Sequence, residues 1–279
     1  MNKLENFCND DKLKTIIYKD INITDVGQIK SILEYPIELT PTITFVNKKN
    51  EHLISNVKGA YVITNELDTY NTDNNYIISD NPRNTFFKLL DVLFPKPEIP
   101  DFGENVVIEG SVKIGNNVKI GHNTVIKKNT VIGDNVIIGC NNTIGGTGFG
   151  YFKDGDGEYR LINHYGGVKI GDNVEIGNNT CIDKGTIGDT IIGDNTKIDN
   201  LVHIAHNCKI GSNCTIIANC MLGGSVVMGD DNWIAPSSDI LNGIKIGEKN
   251  MVGMSTTVIK DINNKELHVG VPNKKIKDL

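Results

Sequence analysis

No stretch of this 279-residue chain approaches the roughly 20 consecutive apolar residues that cross a bilayer, so no membrane span is expected. Positive charge is also in short supply. The 28 Lys and Arg stand against 34 Asp and Glu, a formal charge of −6. An acidic chain lacks the basic footprint of nonspecific nucleic-acid or anionic-membrane binding. The N-terminal segment MNKLENFCNDDK has no apolar signal-peptide core, which gives a cytoplasmic expectation. Cys8, Cys140, Cys181, Cys208, Cys214 and Cys220 contain no Cys-x-x-Cys pair. Reduced thiols and no metal site are therefore expected. A hydrophobic content of 39% excludes a disordered chain, and the length suits one large domain or two modest ones.

What the sequence does hold is a period of six. Apolar residues recur from Ile108 through Ile114, Ile120, Ile126, Ile132, Ile138 and Ile144, and again at Ile170, Ile176 and Ile182. A third run goes unbroken from Ile192 to Val258, twelve positions in all. Neither helical nor strand periodicity produces this spacing; it is the hexapeptide repeat of a parallel β-helix. Three hexapeptides close one triangular coil, and coils bury their aliphatic residues by stacking. Gly, Asn and Asp supply the positive φ that tight corners need. Such helices are left-handed, against the usual crossover rule. Cys208, Cys214 and Cys220 share one phase of the repeat on three successive faces, and so are expected to point away from one another.

The repeat breaks twice. Between Ile144 and Ile170 a glycine-rich polar segment, about 146–167, reads as an excursion loop with Phe149, Tyr151, Tyr159, His164 and Tyr165 facing a ligand or a subunit. Between Ile182 and Ile192 the step is ten residues. Residues 1–100 differ in kind, with β-rich runs at Pro41–Val46, Ala60–Thr64 and Tyr76–Ser79 and an amphipathic helix over Pro82–Phe94. Pro95, Pro97 and Pro100 mark a linker. The fold class is mainly β: a left-handed parallel β-helix over 101–264, preceded by a small α/β domain (1–100) and followed by a tail (265–279).

The six histidines include a close pair, His203 and His206, with Asp199 and Asn200 just before them. Ile204 is the inward residue, so both histidines flank a corner open to solvent or to a neighbouring subunit. Three chemistries fit: a neutral imidazole as general base in acyl transfer, a zinc site shared between subunits, or no chemistry on a binding surface.

Around this cluster the chain resembles the UDP-3-O-acylglucosamine N-acyltransferase family of lipid A synthesis. The matching stretches are Gly148-Phe149-Gly150-Tyr151, Gly171 through Gly177, Thr180 through Gly185, Gly188-Asp189-Thr190, and Ile198-Asp199-Asn200 through Ile204-Ala205-His206-Asn207. Thr44-Phe45-Val46-Asn47 is similar to the family's nucleotide-contacting stretch, and Asp80-Asn81-Pro82 to the start of its first-domain helix. The resemblance implies His206 as general base, with Asp199 and Asn200 supporting base and substrate. It implies Gly224 as the backbone N–H donor to the thioester oxygen, and Phe45, Asn47, His164 and His203 as substrate contacts. His164 and His203 stand where the family usually has Gln.

Asn50 stands where the family has the aromatic residue that stacks on uracil, and Gly243 where it has a second histidine. The helical C-terminal extension is replaced by Gly270-Val271-Pro272-Asn273-Lys274-Lys275. That ending looks like those of coenzyme-A-dependent hexapeptide acyltransferases, which implies Lys274 and Lys275 as phosphate contacts. The expectation is a metal-free, cofactor-free homotrimer that acylates the amine of a nucleotide-linked amino sugar for a surface glycan, with acyl-CoA favoured over acyl carrier protein. The alternative is the lipid A reaction itself, with acyl carrier protein as donor.

Overall fold

In the computed structural model, which describes residues 3–18, 42–94, 100–272 and 274–278, the β-branched runs near the N-terminus form a four-stranded sheet. Two units are compact in themselves, Met1–Glu98 and Ile99–Leu279. In the first, α1 (Lys3–Asp10) leads into β1 (Lys14–Ile16), followed by β2 (Thr42–Val46), β3 (Ala60–Thr64), β4 (Asn75–Ile78) and α2 (Pro82–Leu93). The sheet order is β1-β4-β3-β2, parallel except for the β1–β4 pair. Alternation along β3 sends Tyr61 and Ile63 towards Phe7, Phe86 and Leu89 of the two helices. Ala60 and Val62 pack instead with Ile54 and Val57, from and beside a 3₁₀ segment at Lys48–Asn56. Helix α2 starts where Asn81 accepts a hydrogen bond from the Asn84 N–H at 3.2 Å, with Pro82 in the first turn. Pro41, Pro95 and Pro97 lie outside the described residues; α1, β1 and the 3₁₀ segment carried no periodic signal strong enough to announce them.

The second unit is a parallel β-solenoid whose three faces are sheets of nine, eight and seven strands. The first face carries Ile120, Ile138, Ile176, Ile198, Ile216, Ile234 and Val252; the second, Ile126, Ile144, Ile182, Ile204, Leu222, Ile240 and Val258; the third, Ile132, Ile170, Ile192, Ile210, Met228 and Ile246. All of these side chains are buried in one continuous core. Burying an aliphatic side chain contributes about 1.5–3 kcal/mol, so the column is the main source of cohesion. At the corners Asn135, Asn173, Asn195 and Asn213 each sit at φ 57°, where asparagine is tolerated better than most residues.

Each hexapeptide has a second inward position, two residues before the first. Cys208, Cys214 and Cys220 occupy it and are buried, which corrects the expectation that they point away from one another. Their Sγ atoms lie 3.2, 3.2 and 3.1 Å from the carbonyl oxygens of Gly223, Gly229 and Ala235 in the next coil. Thr124, Thr196 and Ser238 use their hydroxyls in the same way, on Gly139, Gly211 and Gly253. The position takes a compact side chain, apolar at Val136, Val174, Val202 and Val226 and, at the residues just named, polar enough to bond one coil further. Burial raises the Cys208 thiol to about 12 and the Cys214 thiol to about 11.

Both breaks leave the inward column in register, since Ile144 pairs with Ile182, and Ile182 with Ile204, with a bulge in the ladder between Ile144 and Gly146 where the first excursion leaves. The first excursion is an antiparallel hairpin of Tyr151–Lys153 and Tyr159–Leu161, turned at Asp154–Gly157 and closed by the Asp154–Arg160 ion pair. The tail also folds: Glu266–Val269 extends the first face beyond Met251–Val252 and pairs antiparallel with Lys274–Asp278.

Candidate active site

The slot two residues after each inward residue, at the corner, sets the chemistry of each edge. At most corners of the third-face edge a side-chain oxygen from the next coil caps the backbone N–H of the one before. Asp134 Oδ1 accepts from Asn116 N at 2.6 Å, Asp172 Oδ1 from Asp134 N at 2.7 Å, and Asp230 Oδ1 from Ser212 N at 2.7 Å. The first-face edge does the same through Asn178 on Cys140 N and Asn200 on Asn178 N. Beyond Ile204 on the second face the slots hold His206, Gly224 and Asn242. Among the described residues, none accepts a hydrogen bond from the backbone N–H of His206 or of Gly224.

His206 is held between two glycines. A Cβ on Gly148 would lie 2.8 Å from its Cδ2, and one on Gly224 would lie 2.7 Å from Cε1 and 2.9 Å from Nε2. At both positions the close approach of the ring leaves no space for a side chain. The buried His164 ring stands edge-on to His206 with centroids 5.3 Å apart. Its Nδ1 lies 2.8 Å from Ile162 O, while Nε2 has no partner. Asn207 Oδ1 accepts from Thr186 N at 2.7 Å, which orients its amide so that Nδ2 faces His206 Nδ1 at 3.2 Å. An amide N–H only donates, so the neutral ring in this arrangement carries its hydrogen on Nε2.

These residues open onto a cleft of about 390 Å³ lined by Phe149, Asp183, His203, His206, Gly224 and Asn242, among others. Asp183 Oδ2 is 3.6 Å from His203 Nε2. Burial raises the Asp183 carboxyl above its ordinary range, against the pull of His203, His206 and His164. His206 is shifted below the usual imidazole range, first by burial and then by His164 and His203, with Asp183 opposing. The ring is thereby kept neutral and able to accept a proton near pH 7.

His206, His203, Gly224 and His164 come together here; Asp199 and Asn200 do not. The Asp199 carboxylate caps the first-face edge, accepting from Asn200 N at 2.7 Å, Asn200 Nδ2 at 2.9 Å and Ala218 N at 3.2 Å. It takes no part in the histidine cluster, which corrects its expected support of His206 within one chain. The carboxylate beside the histidines is Asp183, which belongs to the motif Thr180–Gly185 but had no role assigned to it. Following the coil across the ten-residue step places Asp183 one coil before Ala205, and that alignment was the signal for it.

Lys275 Nζ is already engaged, at 2.7 Å from Glu266 Oε1 and 2.8 Å from Asp278 Oδ1. Lys275 and His268, which lies 2.9 Å from Glu266 Oε2, draw the Glu266 carboxyl down to about 2. Lys275 therefore closes the end of the solenoid, which leaves only Lys274, exposed, of the expected phosphate pair. In the first unit the Phe45 ring packs on Phe86 at 5.0 Å, and Asn47 is exposed at the start of the 3₁₀ segment. Among the described residues no group of three or more His, Cys, Asp or Glu is arranged to hold a metal ion, and no helix is long and apolar enough to cross a membrane.

The bacterial transferase hexapeptide model (six repeats) matches residues 111–146 and 189–224. Curated relatives include the UDP-3-O-acylglucosamine N-acyltransferase of Wolinella succinogenes, 35% identical over 131 residues, covering 47% of this chain and 41% of the relative. Another, from Legionella pneumophila, is 50% identical over 64 residues, 23% of this chain and 18% of the relative. The chain thus spans about two fifths or less of the length of these relatives. The solved UDP-N-acetylglucosamine acyltransferase from Campylobacter jejuni is 30% identical, with a TM-score of 0.55, covering 64% of this chain and 70% of that one. With that coverage, the repeat match and the three-faced solenoid, the chain belongs to the hexapeptide-repeat transferase family, whose left-handed parallel β-helix is its second unit.

Proposed function

We propose that this chain transfers an acyl group from a thioester to the amine of a nucleotide-linked amino sugar, with the acceptor named in its curated relatives, UDP-3-O-acylglucosamine, ahead of other surface-glycan sugars. The observation that carries this reading is the His206 ring beside Gly224, where two backbone N–H groups find no acceptor among the described residues. The sugar amine attacks the thioester carbon, and the negative charge that develops on its oxygen is received by the Gly224 N–H. His206 takes the proton lost by the amine. The tetrahedral intermediate then collapses to the amide, the C–S bond breaks, and the imidazolium returns the proton to the departing thiolate. For Nε2 to act as the base, the ring must hold its hydrogen on Nδ1 and release the Asn207 amide.

Phe45 and Asn47 of the first unit are proposed nucleotide contacts, and His164, Asn200 and His203 sugar contacts. Asp183 sets the charge balance at the histidines. A parallel homotrimer would turn the exposed corner into a cleft between subunits and bring Asp199 and Asn200 of one chain towards the His206 edge of another. No metal takes part in this scheme, and a cytoplasmic setting agrees with thioester donors. With Lys275 held in the closing hairpin, the argument for acyl-CoA loses one of its two lysines. The donor is thus a thioester whose carrier is decided by turnover.

Mass spectrometry of UDP- and dTDP-amino sugars incubated with acyl-CoA and acyl carrier protein thioesters tests the reading. An N-acylated UDP-linked product is expected. Acylation of dTDP-linked amines alone would replace the lipid A-type acceptor, and no amide with any pair would remove the acyltransferase assignment.

A further inference from the structure

A second cleft, of about 420 Å³, opens beside the base of the hairpin. Its walls are Lys128, Asn129, Thr147, Leu161, Asn163, His164, Tyr165 and Lys184. Two lysines and a histidine line it and no carboxylate does, in a chain whose net charge is −6. Neither Lys128 nor Lys184 forms a side-chain ion pair among the described residues; the nearby Glu109 carboxylate accepts from the Lys128 backbone N–H at 2.9 Å and pairs with Lys127. The remaining polar groups are amides and hydroxyls, with Asn163 Nδ2 3.4 Å from Tyr165 Oη. Lys184 occupies the corner slot one coil before His206, a rise of roughly 4.8 Å between neighbouring strands. His164 belongs to both places: it lines this cleft and stands edge-on to the His206 ring.

We infer that this cleft is an anion subsite, in which Lys128 and Lys184 hold the phosphate oxygens of a phosphorylated substrate whose reacting group lies at His206. The chemistry is that of a double positive charge: two ammonium groups outside any ion pair and neutral donors, with no carboxylate among the lining residues to repel the ligand. Placed one to three coils from His206, the subsite suits a phosphate a few bonds from the reacting atom. Either the diphosphate of a nucleotide sugar or a phosphate of the acyl donor supplies that chemistry. The assignment of the reacting group rests on the proposed acyl transfer; the anion site itself rests on the lysines.

Calorimetric titration of the full chain with inorganic pyrophosphate, UDP and coenzyme A tests it, alongside circular dichroism to confirm folding. Lys128→Gln with Lys184→Gln should weaken pyrophosphate binding by about 10- to 100-fold, and binding to the unaltered chain should fall with added salt. Weaker UDP with unchanged coenzyme A assigns the phosphate to the acceptor, and the reverse assigns it to the donor. Asn163→Asp, which keeps both lysines and adds a negative charge to the wall, should weaken the same ligand and covers the case of a double variant that fails to fold. No binding of millimolar pyrophosphate by the unaltered chain, or unchanged binding of all three ligands in the variants, overturns the subsite. If the lysine variants lose pyrophosphate binding but no thioester is ever turned over, the subsite stands and the acyl-transfer reading falls.

Discussion

Two edges of one solenoid, built from the same repeat, have been put to opposite uses. On the third-face edge, Asp134, Asp172 and Asp230 spend a side-chain oxygen on the N–H of the coil before, so most corners are capped, while the Asp194 and Asp230 N–H groups find no acceptor among the described residues there. On the second-face edge, Gly224 has no side chain with which to cap His206, and the Ile144–Ile170 excursion places Gly148 against the other side of the ring. The contrast teaches that this scaffold leaves backbone donors open beside an imidazole where the next corner carries no capping side chain. A polar residue at a corner is therefore structural by default, and becomes functional where its neighbours along the edge are missing.

The strongest way to break the comparison is His206→Ala. Loss of a positioned general base should lower kcat by about 10²–10⁴-fold, with thermal stability nearly unchanged. A kcat within a few-fold of the parent would mean that the amine arrives neutral and the edge needs no base. Gly224→Ala comes next. Its Cβ would stand 2.7 Å from His206 Cε1, so the ring must move, and misplacement on this scale costs on the order of 10²-fold. Steady-state kinetics with a melting curve would show whether activity falls without unfolding; an unchanged kcat would show that the ring position is not critical.

Asp199→Ala tests a capped corner on the first-face edge. It removes the acceptor of Asn200 N and Ala218 N, and should cost about 1–3 kcal/mol of stability while leaving kcat close to the parent's. A hundredfold loss of kcat with an unaltered melting temperature would instead place this carboxylate against His206 of another subunit. The smallest effect is expected from Asp183→Asn. Asp183 opposes the downward shift of His206, so removing its charge should move the acid limb of the kcat/KM profile to lower pH. A limb that moves to higher pH would assign it to another group.

Much of this could be read from the residues in order, because a period of six admits one architecture and its isoleucines fall on the buried column. The cysteines mislead because the isoleucine phase of the repeat marks one inward position per hexapeptide, whereas the side chain two residues earlier also turns in. Asp199 misled for a related reason. It precedes His206 by seven residues, which on this fold is one corner away, while Asp183, 23 residues before, is one coil away and adjacent. Distance along the chain is a poor guide on a solenoid, where proximity follows the coil count. The tail was legible as a motif but not as a hairpin, since the pairing of Lys275 with Glu266 depends on a strand partner nine residues earlier.

The stacking of each coil on the one before has a consequence for how the protein is made. Asp183, His206 and Gly224 come from three consecutive coils, each resting on the one before it. Contacts between adjacent coils close short loops, the kind of topology that folds by local propagation without waiting for distant partners. A ribosome delivering the chain from its N-terminus would release the hairpin wall first, then the carboxylate, the imidazole and the glycine that faces it. The edge that carries His206 can therefore be complete while the residues that close the far end of the solenoid are still being translated.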